Sequence, residues 1–287
     1  MNRAERRRQE RDARKKPPPR DDLASPARVD IAAIKRRLQQ QTTPEQVQRL
    51  IGTLVAQGLP REAGEELSVY AAEFHDAAAI LKVRETTVEQ VPTLVNNAHS
   101  WADTMISQSP EQERRACKAG CAFCCYVPTV LVTAAEAVYL ADWLRINCST
   151  EELATVKQRL SQRQQQTKAR SSSVPTKPFP CALLQDNQCM AYAARPLKCR
   201  GWNSLRRDVC ERAYGHSQSQ VQIPADAYAF VMGNAVLSGL SDSATSAGLD
   251  GATYDLTSAL LRALETPNAT DRWRKGERLF SKSQRQR

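Results

Sequence analysis

The chain has 287 residues, 41% hydrophobic and 25% charged, with a net charge of +10. It is long enough to bury a core as one large or two small domains. Nine cysteines are too few for a disulfide-packed mini-protein, and no apolar run is long enough to cross a bilayer. The opening MNRAERRRQERDARKKPPPR has arginines but no apolar segment, and Glu5, Glu10 and Asp12 interrupt its basic run. It therefore does not read as a secretory, twin-arginine or transit signal, and a cytoplasmic protein with reduced thiols is expected.

The positive charge sits at the ends. Residues 1–20 hold nine Lys/Arg against three Asp/Glu, and residues 272–287 hold seven against one. What lies between is nearly neutral, at −2. Residues 1–27 read as a solvated basic arm and 271–287 as a basic tail. Such segments can also contact nucleic acid through its phosphates, without sequence preference.

Helix signals dominate the region 28–108. Thr43-Pro44-Glu45 is an N-cap with proline at the first helical position, followed by Val47, Leu50, Ile51, Leu54 and Val55 at helical spacing. Leu59-Pro60 breaks that helix. Leu67, Tyr70, Ala71, Phe74 and Ala78 continue the period in the next, and Val88 to Ile106 reads as a third. This helical layer is a candidate surface for a protein partner. Ser109-Pro110-Glu111 opens a short helix at the start of a cysteine-bearing region, 109–220. Inside it, Thr133 and Glu136 form a capping box for a helix through Trp143, and Ser149 and Thr150 cap one running to about Lys168. The stretch RSSSVPTKPFP is a loop. In the C-terminal region, 221–270, Asp226 opens a helix bearing Tyr228, Val231, Met232 and Val236, and Leu256 to Leu264 forms another. There is little period-2 alternation, no Asn-Gly hairpin signal and no βαβ rhythm. The expected fold is mainly α, with irregular metal-binding loops and little or no sheet.

Eight cysteines form two groups: Cys117, Cys121, Cys124 and Cys125, then Cys181, Cys189, Cys199 and Cys210. Reduced thiols clustered at short spacing are metal ligands or catalytic groups more often than crosslinks. Cys121-x-x-Cys124 can grip one ion, and Cys117 lies one helical turn before Cys121. Adjacent side chains diverge, so Cys117, Cys121 and Cys124 are expected in one site with Cys125 turned toward the second group. Cys148 stands apart, as a bystander. His75 and His99 fall in the upstream helices; His216, six residues after Cys210, is the histidine nearest the cysteines. Arg114, Arg115, Lys118, Arg195, Lys198, Arg200, Arg206 and Arg207 crowd the thiols in sequence and would favour their ionised form. Phe123, Phe179 and Trp202 are candidates to exclude water from them.

The order C-x3-C-x2-C-C, then Pro180-Cys181-x-x-Leu184, then Cys189-x-x-Tyr192-x-x-Arg195-Pro196-x-x-Cys199-Arg200 resembles the YkgJ-like "CxxCxxCC" cysteine-cluster family. The likeness covers about 117–210, a third of the chain. It implies zinc or iron chelation by the eight grouped cysteines. A related branch, the flagellin lysine methylases, shares a cysteine-rich region of this type and is associated with an iron–sulfur cluster.

The resulting expectation is a metal-binding protein holding an iron–sulfur cluster, zinc or both, with iron–sulfur preferred and any enzymatic activity left open. One alternative is an S-adenosylmethionine-dependent lysine methylase of the flagellin type. Cys117, Cys121 and Cys124 match radical-SAM spacing, but the chain lacks that barrel's alternating strands and helices. The other alternative is a zinc-stabilised interaction protein with nucleic-acid-contacting tails. No serine–histidine–acid set, P-loop or Rossmann fingerprint supports another class.

Overall fold

The computed structural model describes residues 29–82, 90–126, 129–169, 179–215 and 221–280. The basic arm 1–27, most of the Ser/Pro-rich loop (170–178), His216 and the last seven residues lie outside that description. The chain divides into two units, Met1–Arg37 and Leu38–Arg287. In the first, Asp30 accepts a 3.0 Å hydrogen bond from the Ala33 N–H in the opening turn of α1 (Ile31–Gln39).

The second unit is mainly helical, as expected. It continues with α2 (Pro44–Ala56), α3 (Arg61–Lys82), α4 (Gln90–Ser107), α5 (Ala134–Asn147), α6 (Thr150–Ala169), α7 (Leu197–Gly201), α8 (Arg207–Gly215), α9 (Ala227–Ser246), α10 (Leu256–Glu265) and α11 (Ala269–Arg274). Short 3₁₀ turns span Gln112–Arg114 and Phe123–Tyr126. Caps set several boundaries. Thr43 closes a capping box with Gln46, Ser149 and Glu152 do the same for α6, and Asp226 accepts from the Ala229 N–H at the start of α9. Each satisfies amides that the first helical turn leaves without partners.

The core is built on α3 and α9, with α4 against both and α7 on α9; α10 packs on α5 and α6. Leu67, Tyr70, Ala71, Phe74, Ala77 and Leu81 form the buried stripe of α3. The helix α9 buries more of its surface, from Ala229 through Ala244, because neighbours cover it from several sides. Its crossing with α7 depends on two glycines. A Cβ on Gly201 would lie 3.1 Å from the Ala229 carbonyl oxygen, and one on Gly233 3.1 Å from the Gly201 Cα. Only bare backbone lets the two helices approach this closely.

Among the described residues, two small antiparallel sheets complete the unit. β1 (Leu131–Thr133) pairs with β4 (Thr253–Asp255), Val132 opposite Tyr254. β2 (Leu184–Gln185) and β3 (Gln188–Cys189) form a hairpin, Leu184 opposite Cys189. Its turn is Asp186-Asn187, with φ of 48° and 59°. Asn-Gly is only one way to make such a turn; Asp and Asn also tolerate the left-handed region because their short polar side chains bond locally. The assignment of residues from 271 onward to a basic tail also changes. Trp273 is fully buried and donates from Nε1 to the Asp250 carbonyl at 3.0 Å, and Leu279 and Phe280 are buried too. Residues 271–280 therefore belong to the folded body.

Glu136 ties these parts together. Its Oε2 accepts from the Thr133 N–H at 2.9 Å and the Thr133 hydroxyl at 3.1 Å, closing the expected capping box of α5. Its Oε1 accepts from the Leu197 N–H at 2.8 Å, the first residue of α7. The His99 ring stands 3.7 Å from Oε1. His99 Nδ1 faces Arg200 Nη2 at 3.3 Å, which makes Nδ1 the acceptor. Burial opposes ionisation of Glu136, but the His99 ring and the Leu197 and Thr133 amides outweigh it and hold its pKa below the usual carboxylate range.

Replacing Glu136 with Ala should destabilise the protein by about 3 kcal/mol, because two buried amides lose their acceptor. A depressed folded pKa means that the contribution is full above the unfolded value of ~4.3 and is lost as pH falls through the folded value. Urea titrations of wild type and Glu136→Gln should therefore show a gap at pH 7 that shrinks by pH 3. A gap independent of pH would contradict this account.

Candidate metal centre

All nine cysteines are free thiols; Cys117 and Cys124 are exposed, Cys210 is buried, and the rest are part-buried. The fold redistributes the two sequence groups. Cys117 and Cys210 each feel Cys121 and Cys124. Cys125 feels Cys181 and Cys189, and Cys199 feels Cys181, Cys189 and Cys124. Cys210, last of the second sequence group, thus joins Cys117, Cys121 and Cys124. Cys125 faces Cys181 and Cys189, which also lie near Cys199. Cys124 stands within electrostatic reach of both quartets. Cys148 caps the C-terminus of α5, donating its N–H to the Leu144 carbonyl, and its charged neighbour is Glu152, not a thiol. Among the described residues no three Cys, His, Asp or Glu side chains already converge as a ligand set. The thiols share a neighbourhood and not yet a point.

Local backbone explains the gathering. The 3₁₀ turn Phe123–Tyr126 carries Cys124 and Cys125, and the Cys125 carbonyl accepts from the Cys181 N–H at 2.7 Å. This hydrogen bond links the two sequence groups. The Asp186-Asn187 hairpin returns the chain so that Cys189 follows Cys181 at close range. Backbone amides two residues downstream serve two of the sulfurs: Leu183 for Cys181 and Ala191 for Cys189. Pro196 then N-caps α7, which presents Cys199.

In the other quartet, Ser204 is the organiser, and the sequence reading passed over it. It is 2% exposed. Its N–H donates to Cys117 Sγ at 3.3 Å, its carbonyl accepts from the Ala116 N–H at 2.8 Å, and its hydroxyl, which donates to the Arg206 carbonyl at 3.1 Å, favours the Cys210 thiolate. Phe123, Cys124, Trp202, Cys210, Tyr214 and Ile223 line a cavity of about 200 Å³ beside these thiols. Phe123 and Trp202 thus lie beside the thiols, while Phe179 turns its carbonyl to Arg163.

Burial pushes the thiols of Cys117, Cys181, Cys199 and Cys210 up and that of Cys189 to about 11. Adjacent Cys124 and Cys125 split: the Cys125 S–H donates to Cys124, holding Cys124 below and Cys125 above the ordinary thiol range, and Arg195 also favours the Cys124 thiolate. Most of the basic residues that crowd the thiols in sequence are engaged elsewhere. Arg114 pairs with Glu111, Arg115 with Asp226, Arg200 with Asp103 and Arg206 with Asp208, while Lys198 bonds Asn234. Arg195, whose guanidinium lies 4.4 Å from the Tyr192 ring centroid, acts on Cys124, Cys189 and Cys199.

The second cation near the thiols is Arg163 on α6, 18 residues before Cys181 in a segment that reads as polar helix surface. It favours the Cys181 thiolate. It also donates from Nη1 to the Phe179 and Pro180 carbonyls, each at 2.6 Å, and from Nε to the Thr257 hydroxyl at 3.2 Å. One planar guanidinium thereby fixes the approach to Cys181 between α6 and α10.

No family model, curated protein or solved structure matches the chain.

The donor set suits a soft metal: thiolates, amides aimed at sulfur and aromatic shielding are what iron–sulfur clusters and zinc use. Arg163→Met should cost about 2 kcal/mol, since the part-buried carbonyls of Phe179 and Pro180 and the Thr257 hydroxyl lose a charged donor. Arg163→Lys should recover only part of that, because an ammonium cannot span the same three acceptors as a planar fork. Chemical denaturation of the three proteins measures this, and equal stability of the Met and Lys variants would count against the bridging role.

Proposed function

We propose that the chain is a metal-binding protein whose eight grouped cysteines hold an iron–sulfur cluster or zinc in two neighbouring quartets. Cys117, Cys121, Cys124 and Cys210 form one, and Cys125, Cys181, Cys189 and Cys199 the other. The observation that carries this reading is the convergence of eight thiols from well-separated stretches of chain into one region, with Cys148 left outside. The likeness of residues 117–210 to the YkgJ-like cysteine-cluster pattern supports it. Iron–sulfur would supply electron-transfer or cluster-dependent chemistry, and zinc a structural or chelating role. The protein's own contribution is to neutralise excess thiolate charge with Arg163 and Arg195, to aim backbone amides at Cys117, Cys181 and Cys189, and to limit water through Phe123 and Trp202. The methylase and nucleic-acid alternatives gain no specific observation from the fold.

Anaerobically purified protein should contain tightly held iron with acid-labile sulfide, or zinc. Metal stoichiometry and visible spectra across nine Cys→Ser variants test the assignment. A hydroxyl is a poor ligand for a soft metal, and losing one ligand strands the remaining charge. Each of the eight grouped cysteines should therefore lower metal content, while Cys148→Ser should leave it unchanged. If the quartets bind independently, Cys210→Ser and Cys199→Ser each remove part of the metal and the double variant removes the rest. A fully folded, metal-free wild-type protein would sink the proposal.

A further inference from the structure

A second cavity, of about 380 Å³, opens between α3 and α4. Glu73, Asp76, Asn97, Ser100, Trp101 and Thr104 line it, and its lining includes no cysteine and no basic residue. Glu73 stands out. It is 2% exposed, and no hydrogen bond to its carboxyl is found among the described residues. Its stem is pinned by the backbone of α9. A Cβ on Gly239 would lie 2.8 and 2.9 Å from Glu73 Cβ and Cγ and 2.7 Å from the Tyr70 carbonyl oxygen. The side chain thus has little freedom to swing out into water. Burial pushes its pKa well above the usual carboxylate range, and the carboxyls of Asp76 and Glu136 push it further. The Trp101 indole N–H in the same wall is also buried without an acceptor among the described residues.

A carboxyl on a buried stem, facing a cleft that offers it no donor, is a place where a ligand can supply one. The complement of two carboxyls beside an aromatic ring is a cation, which gains from opposite charge and from the ring face. We propose that the cleft between α3 and α4 binds an organic cation, an ammonium or guanidinium group on a short chain, with Glu73 and Asp76 taking its charge and Trp101 flanking it. Such a group can come from a free amine or from a lysine or arginine side chain of a polypeptide. The site is separate from the thiols and does not depend on what metal they hold.

The test titrates the full-length protein with n-butylamine at pH 7, with n-butanol as the neutral control and a blocked Ala-Lys-Ala peptide as the polypeptide arm. Tryptophan fluorescence and thermal melting report binding. Butylammonium should saturate and raise Tm, and butanol should do neither. Tighter binding of the peptide assigns the cation to a protein side chain, and tighter binding of the free amine assigns it to a small molecule. Glu73→Gln, which keeps the shape, should weaken binding at least ~10-fold, and Asp76→Asn should weaken it less. Metal content should stay unchanged in both, separating this result from any failure of the thiol assignment. Ser100→Lys, at an exposed position, places an ammonium in the cleft; it should raise Tm and block butylamine. Equal binding by wild type and Glu73→Gln, equal effects of butanol, or no saturation up to ~100 mM would overturn the proposal.

Discussion

A carboxylate with no access to water has to be met by donors, and Glu136 draws its donors from two helices at once. One oxygen closes the N-terminus of α5 through Thr133, and the other closes the N-terminus of α7 through the Leu197 amide. Two residues beyond Leu197 is Cys199. The position of that thiol therefore depends in part on this buried anion. Behind it, His99 and Arg200 extend the polar contact to Asp103 at the surface of α4. The glycine crossing of α7 and α9 sets the other side of the same helix. Cys199 is held by a hydrogen bond from one direction and backbone packing from another.

The remaining thiols are delivered by small devices, since long elements play little part here. A 3₁₀ turn, one two-residue hairpin and a backbone hydrogen bond from the Cys181 N–H to the Cys125 carbonyl bring Cys125, Cys181 and Cys189 near one another. The first depends on Ser204, whose peptide unit and hydroxyl serve both Cys117 and Cys210. Asp226 anchors the chain just before Cys117 by accepting from Ser109 at 2.7 Å and Arg115 at 2.8 Å while capping α9. Short loops of this kind have little hydrophobic area of their own. Their shape comes from hydrogen bonds to the helical body.

Two buried carboxyls illustrate how context decides chemistry. Glu136 and Glu73 are both removed from water. Glu136 is surrounded by donors and held below the usual carboxylate range; no hydrogen bond to Glu73 is found among the described residues, and burial holds it above that range. Neither difference follows from residue type. The first serves the architecture, and the second opens onto a cleft with unmet polarity.

The sequence by itself determined the helical class, the capping boxes at Thr43 and Thr133, the cap at Ser149, the start of α9 at Asp226 and the isolation of Cys148. These are local matters: periodicity and caps act within one or two turns, so they are written in neighbouring residues. Only the tertiary structure decided which thiols stand together. Cys210 leaves its sequence neighbours for Cys117 because α8 and Ser204 bring it there, and no spacing rule contains that information. Arg163 reads as one more cation on a polar helix until the fold places it over the approach to Cys181. Arg115 and Arg200 sit beside cysteines in sequence, yet they are taken by Asp226 and Asp103, which are distant in sequence. Residues 271–280 look like a charged tail because arginines dominate their composition, but Trp273 and Phe280 find apolar partners made only by the assembled helices. Long-range pairing selects among many locally acceptable partners, and that selection exists only once the chain is folded.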